Sequence, residues 1–282
     1  MNSTEKLKLQ VLACKARLYA LEGIFNAKSG HPGGSFSAAD IYTYLYYKVL
    51  NVNPLNPNDP DRDRFVLSKG HCCPTLYSIL ALKGFFSIDE LSKLRKVGAM
   101  LQGHPDMKST PGIDMSSGSL GQGISAACGM ALAGKIDNKS YKVYTLLGDG
   151  ECEEGQVWEA LMFAANKKLD NLCVIIDCNG LQIDGAVEDV GGIEPLDKKL
   201  EAFGFAVFKM NGHDFDSIEA AVNAANASCG KPTAIIAKTV KGKGVSFMEN
   251  KVNWHGAAPN AEQYEIGRNE LLEQLAELGG TL

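Results

Sequence analysis

The chain has 282 residues, 45% hydrophobic and 22% charged, the balance of an ordinary globular protein with ample material for a packed core. Its formal net charge of −5 argues against nucleic acid as a partner and leaves any substrate phosphate to local groups. No apolar run approaches the length of a membrane span, and the opening MNSTEKLKLQ is too polar for a signal peptide. The eight cysteines, Cys14, Cys72, Cys73, Cys128, Cys152, Cys173, Cys178 and Cys229, contain no C-x-x-C pair and no zinc spacing. They read as small buried hydrophobes in a reducing compartment, so a cytoplasmic protein is expected.

In chain order, residues 3–28 are predicted as a helix with Leu7, Val11, Cys14, Leu18 and Leu21 on one face. The glycine-rich stretch SGHPGGS, residues 29–35, is predicted as a loop, and Ala38 to Val49 as a tyrosine-rich helix. The prolines and Asp/Asn residues between Asn51 and Arg64 predict another loop. A short strand, Arg64 to Ser68, leads into Lys69-Gly70-His71, and helices are expected over Thr75 to Leu82 and Asp89 to Lys96. Gly103 to Gly123 reads as loop, followed by a small-residue helix, Ile124 to Lys135.

The next segment carries the most information. An apolar run, Val143 to Leu147, ends in Gly148-Asp149-Gly150; an amphipathic stretch follows; a second run, Leu172 to Ile176, ends in Asp177-Cys178-Asn179. Run, helix, run predicts a βαβ unit, and a right-handed crossover makes its strands parallel. Asp149 and Asn179, far apart in the chain, are then expected at the same carboxyl edge of the sheet. Two hard oxygen ligands beside glycines suit Mg²⁺ or Ca²⁺ holding a diphosphate. Strands at Ala206 to Met210 and Thr233 to Lys238, a helix between them at Phe215 to Ala227, and a last helix from Glu262 to Leu278 complete the chain. The alternation predicts an α/β fold with a mostly parallel sheet flanked by helices.

Two glycine motifs invite misreading. GMALAGKI, Gly129 to Ile136, lacks the hydroxyl that ends a P-loop and favours helix. GSLGQG, Gly118 to Gly123, has the wrong spacing for a dinucleotide fingerprint. It still places a glycine-rich loop before a helix, which fits either an anion cradle or a plain turn. Four of the five histidines sit in loops: His31 in SGHPGG, His71 in SKGH, His104 in QGHPD and His255 in NWHGAAP. Converging imidazoles could move protons or bind the hydroxyls and oxyanion of a sugar. His213, in NGHDFDS, reads as structural.

Taken together, SGHPGGS, SKGH, GHPD, GSLGQG, GDGECEEGQVWEA and HGAAP, in that order, resemble the transketolase family of thiamine diphosphate enzymes. The resemblance implies a thiamine diphosphate-binding fold of the diphosphate (PP) type over residues 1–282, as a single domain. It implies Asp149, Asn179 and the carbonyl of Leu181 as ligands of Mg²⁺ (or Ca²⁺). It implies cofactor contacts from His71, Gly118, Ser119, Leu120, Gly150, Asn179 and His255. His31 and His104 correspond to substrate-side histidines, and His31, His104 and His255 to the catalytic ones. Glu154 and Glu159 fall on acidic positions after the GDG motif, Glu159 on one near a subunit interface that links two active sites. Ser119 stands where the family usually has proline, and GAMLQ before His104 departs from the more polar pattern of many relatives.

Full-length relatives are more than twice this length, and their second domain contacts the aminopyrimidine ring. The resemblance therefore implies an amino-terminal subunit of a split transketolase. A separate carboxy-terminal subunit would carry the pyrimidine-binding domain, in a dimer of heterodimers. The implied reaction is transfer of a two-carbon ketol unit from a ketose phosphate to an aldose phosphate. A 1-deoxyxylulose-phosphate-synthase-like enzyme and a non-catalytic subunit retaining the fold are the alternatives.

Overall fold

The computed structural model describes residues 1–282. Helix α1 (Ser3–Ala27) starts at a reciprocal cap: Asn2 Oδ1 accepts from Glu5 N at 2.9 Å, and the Glu5 side chain accepts from Asn2 N. Of the predicted face, Cys14, Leu18 and Leu21 are buried and Leu7 is open to solvent, and a second buried stripe through Leu9, Ala13, Ala16, Ala20 and Ile24 runs beside it. The small alanines decide this, because they let α1 lie closely against both α4 (Cys73–Lys83) and α10 (Ala261–Glu277).

Some predicted segments differ. The stretch 29–35 is not all loop: Pro32, with its preset φ and no N–H to satisfy, opens a short helix, α2 (Pro32–Ser37). The tyrosine-rich helix is divided into α3 (Ala39–Tyr44) and a π-helical turn, Leu45–Val49. The segment predicted as helix over 89–96 is a 3₁₀ turn, Ile88–Lys93. Beyond it, α5 (Gln122–Ile136), α6 (Gly155–Asn166) and α9 (Phe215–Ala227) lie where periodicity places them. Two short helices, α7 (Val187–Val190) and α8 (Leu196–Ala202), have no counterpart among the predicted elements.

Five strands form one parallel sheet: β1 (Arg64–Leu67), β2 (Val143–Gly148), β3 (Leu172–Cys178), β4 (Ala206–Asn211) and β5 (Thr233–Lys238). Their spatial order is β1-β2-β3-β5-β4, so the chain jumps to the edge for β4 and returns to fill the gap with β5. Side chains alternate between faces. Tyr144, Leu146, Cys173 and Ile175 join one core with α1, α3, α4 and α9; Val143, Leu147, Val174 and Ile176 join another with α5, α6 and α8. This is the helix–sheet–helix arrangement expected from the sequence. Because all strands are parallel, the segments after β1, β2, β3 and β5 emerge side by side at one edge. No helix is long and apolar enough to cross a membrane.

Candidate active site

At that edge the four adjacent strands end in Ser68-Lys69-Gly70-His71, Asp149-Gly150, Asn179-Gly180-Leu181 and Thr239-Val240-Lys241. A polar cavity of about 230 Å³ opens there, lined by Lys69, His71, Asp149, Asn179, Lys241 and His255 among others. Asp149 Oδ2 accepts from Gly180 N at 2.5 Å and Oδ1 from Gly150 N at 2.9 Å, which aims the carboxylate across the gap between β2 and β3. Asn179 Oδ1 accepts from Leu181 N at 3.2 Å. Burial, then the neighbouring Asp177 charge, push the Asp149 carboxyl up to about 6. A carboxylate so disfavoured is one that a cation would stabilise strongly.

No three His, Cys, Asp or Glu side chains are grouped to hold a metal. A cation here would rest on the Asp149 carboxylate, the Asn179 amide oxygen and the Leu181 carbonyl. That all-oxygen set is sparse, which fits Mg²⁺ completing its shell with water and phosphate, and is too poor for zinc.

Lys241 lies outside every motif singled out in the sequence, and Lys69, although inside SKGH, has no role assigned to it there. Lys69 is fully buried and its ammonium pairs with the equally buried Asp177. Asp177 also accepts from Ser37 Oγ at 2.5 Å and from the Thr239 hydroxyl, joining α2, β1, β3 and the end of β5. Lys241 Nζ donates to the Leu181 carbonyl at 3.0 Å and lies 3.1 Å from His255 Nδ1. Burial lowers the Lys241 pKa below the usual lysine value. Both lysines follow correctly predicted strands, so the available signal is their position just past a carboxyl end. Glu151, within GDGECEEGQVWEA, is likewise given no role by the sequence. It is buried, and accepts from Ser68 Oγ at 2.5 Å, Gly121 N at 2.9 Å and Gly148 N at 3.1 Å.

The loop Gly118 to Gly123 contributes Leu120 to the cavity. Gly121 has φ +82 and caps the start of α5; its N–H goes to Glu151, and Ile124 N goes to Ser68 Oγ at 3.2 Å. Part of the helix N-terminus is thus satisfied by protein groups instead of facing the cavity. Ser119 is exposed, and Gly118 lies against the His104 ring.

The loop histidines converge. Ring centroids of His31 lie 5.1 Å from His71, 5.7 Å from His255 and 6.3 Å from His104, and His71 stacks on His255 at 5.1 Å. Burial is the main reason all four are harder to protonate than free histidine; neighbouring positive charges add to it. His31 falls to about 4 and His255 to about 3. With the Lys241 ammonium donating to Nδ1, neutral His255 carries its proton on Nε2. His31 Nδ1 is buried without a partner. His213 stands apart: Nδ1 donates to Asp40 at 2.7 Å and Nε2 accepts from Val240 N at 2.9 Å, the structural role expected of it. Glu154 lines the cavity, whereas Glu159 lies exposed on α6.

The profile of the transketolase thiamine diphosphate-binding domain matches residues 9–272. The 6-deoxy-6-sulfo-D-fructose transketolase subunit SqwG of Clostridium sp. (strain MSTE9) is 46% identical over 95% of this chain and 98% of its own. An apulose-4-phosphate transketolase subunit of Phocaeicola vulgatus is 43% identical over 97% of this chain and 96% of its own. Human transketolase is 44% identical, with 90% of this chain matching 41% of that one. The Campylobacter jejuni transketolase structure superimposes with a TM-score of 0.87 at 34% identity, covering 99% of this chain and 47% of that chain. The chain thus spans nearly all of the two subunits but under half of the full-length enzymes, and it belongs to the transketolase family as a chain of the amino-terminal, thiamine diphosphate-binding kind.

Proposed function

We propose that this chain binds thiamine diphosphate through Mg²⁺ and, with a separate carboxy-terminal subunit, transfers a two-carbon ketol unit from a ketose phosphate to an aldose phosphate. The observation that carries this is the meeting of Asp149 and Asn179 at the sheet edge, between the Lys69–His71 and Lys241–His255 walls. Asp149, Asn179 and the Leu181 carbonyl would hold the metal, and Lys241, His71, His255, Leu120 and the Gly150 backbone would face the diphosphate, beside the Gly118-Ser119 turn. When bound, the cofactor supplies the nucleophilic carbon that accepts and hands on the ketol unit. His31, His104 and His255, held neutral at pH 7, can each accept or donate a proton at substrate oxygens without first losing one to solvent.

Two features support a second chain. The cavity, about 230 Å³, is smaller than the roughly 300–1,000 Å³ of pockets that enclose a drug-sized ligand. Ile183 lines it yet is 64% exposed, an apolar side chain left open at the mouth of a polar site. The names of the two near-full-length relatives, both given as subunits, point the same way. A pyrimidine-binding domain on the partner, a dimer of heterodimers and Glu159 at its interface complete the proposal, with residues 1–282 as one PP-type domain. The eight free thiols suit a reducing cytoplasm.

Asp149→Ala tests the assignment. Calorimetry of the variant with Mg²⁺, thiamine diphosphate and the partner subunit should show affinity reduced at least about a hundredfold, since a charged metal ligand is gone. Unchanged Mg²⁺-dependent affinity would refute it.

A further inference from the structure

Arg95 lies outside the metal and cofactor site, yet it touches both loops that carry the substrate-side histidines. The chain holds it at φ +62, a left-handed conformation that disfavours any residue but glycine, and Arg95 N donates to Leu101 O at 2.8 Å. From there the guanidinium spans two loops. Nη1 donates to Ser29 Oγ at 3.0 Å, two residues before His31, and Nη2 donates to Gly103 O at 3.3 Å, the residue before His104. It lies directly over Gly103: a Cβ placed there would come within 2.7 Å of Cζ and 2.9 Å of Nε. Nε itself is buried without a partner, as is His31 Nδ1, so this wall keeps unused hydrogen-bonding capacity.

We infer that Arg95 is a positioning residue for the substrate wall: its planar fork ties the His31 loop to the His104 loop and sets the distance between the two imidazoles. The inference rests on the reading of those histidines as substrate-side. Only a guanidinium presents donors in two directions at fixed spacing; a lysine ammonium would reach one loop and release the other. Its charge also acts on both rings. After burial, Arg95 is the largest influence keeping His31 and His104 neutral. The titratable and charged groups around His31 are Arg95, His104, His71, His255 and Lys241; those around His104 are Arg95 and His31.

The test uses Arg95→Met, Arg95→Lys and Ser29→Ala in the full chain, loaded with Mg²⁺ and thiamine diphosphate and joined to its partner subunit. D-xylulose 5-phosphate serves as donor and D-ribose 5-phosphate as acceptor. Thiamine diphosphate affinity should stay within about twofold, while KM for the donor rises about tenfold in both Arg95 variants and less in Ser29→Ala. The acidic limb of kcat/KM should move to higher pH in Arg95→Met, where the cation is lost, and stay in place in Arg95→Lys. An unchanged KM and limb in Arg95→Met, or a loss of cofactor affinity as large as the loss of activity, overturns the inference. Absence of Mg²⁺-dependent thiamine diphosphate binding in the unsubstituted complex would instead count against the functional reading. NMR titration of His31 and His104 in the full chain then decides separately: both must titrate higher in Arg95→Met, and unmoved rings overturn the role of Arg95.

Discussion

Lys69 and Asp177 illustrate how strongly a single pair can constrain this edge. Both are almost completely buried, burial works against both charges, and yet each holds the other ionised: Lys69 is raised above the usual lysine value and Asp177 lowered below the usual carboxylate value. Ser37 and Thr239 take up the remaining carboxylate lone pairs. Removing one partner should therefore be far worse than removing both. Lys69→Met is expected to cost about 3–5 kcal/mol, with Lys69→Met/Asp177→Leu recovering a large part, because only the single variant strands a buried charge. Urea unfolding of the three proteins checks this, and a single variant no less stable than the double would show that the pair is not carrying the charge balance proposed.

The strands and the elements joining them were legible to different degrees. β5 and α9 have the predicted bounds, and β2 and β3 extend the predicted runs by one and two residues. All four bury a continuous or strictly periodic apolar pattern, which a sequence displays directly. The π-helical turn at Leu45–Val49 and the short helices α7 and α8 carry no such pattern over their few residues. The site was legible where a motif marks a strand end, as at Asp149 and Asn179. It was hidden where a residue acts by tying elements together, as Lys69, Lys241, Glu151 and Arg95 do, because such roles depend on which loops the sheet order brings together. Glu151 is the clearest case: within GDGECEEG it looks like any acidic residue, but it fastens β1, the turn after β2 and the start of α5. Glu151→Ala should leave two backbone N–H groups and a hydroxyl unpaired in a buried place, at a cost on the order of 2 kcal/mol. It should also loosen the Gly118–Gly121 turn, seen as weaker thiamine diphosphate binding with Asp149 intact. Wild-type stability and affinity in this variant would show that the Glu151 bonds do not hold the turn.

Across the whole molecule, gathering four neutral histidines at one edge makes stability depend on pH in a particular order. An unfolded chain protonates its histidines near 6.5, whereas His31 and His255 resist until about 4 and about 3, and His71 and His104 are shifted the same way. Through these histidines the unfolded state binds more protons as pH drops below 6.5, and their contribution to stability falls with it. His31 and His255 are only partly buried, and solvent screening holds each contribution to the order of 1 kcal/mol. Asp40 acts later. Despite its burial, Arg17 and His213 hold its carboxyl at about 2, so its stabilisation is intact above about 3.8 and is lost only as pH falls toward 2. Urea midpoints measured from pH 7.5 downward should thus decline first between about 6.5 and 4, then again below about 4. Replacing His31 and His255 with asparagine should flatten the first decline and leave the second. Saturating Mg²⁺ and thiamine diphosphate should raise the unfolding free energy at pH 7 by mass action, by about 2.7 kcal/mol at a hundredfold excess over Kd, and the midpoint with it. Asp149, its carboxyl raised to about 6, takes up a proton in the folded state over the same window and opposes the decline, so the comparison with the His31→Asn/His255→Asn variant decides: a midpoint that changes equally with pH in both proteins would mean the histidines are already solvated, and the dry, neutral wall on which their proton-handling role depends would not exist.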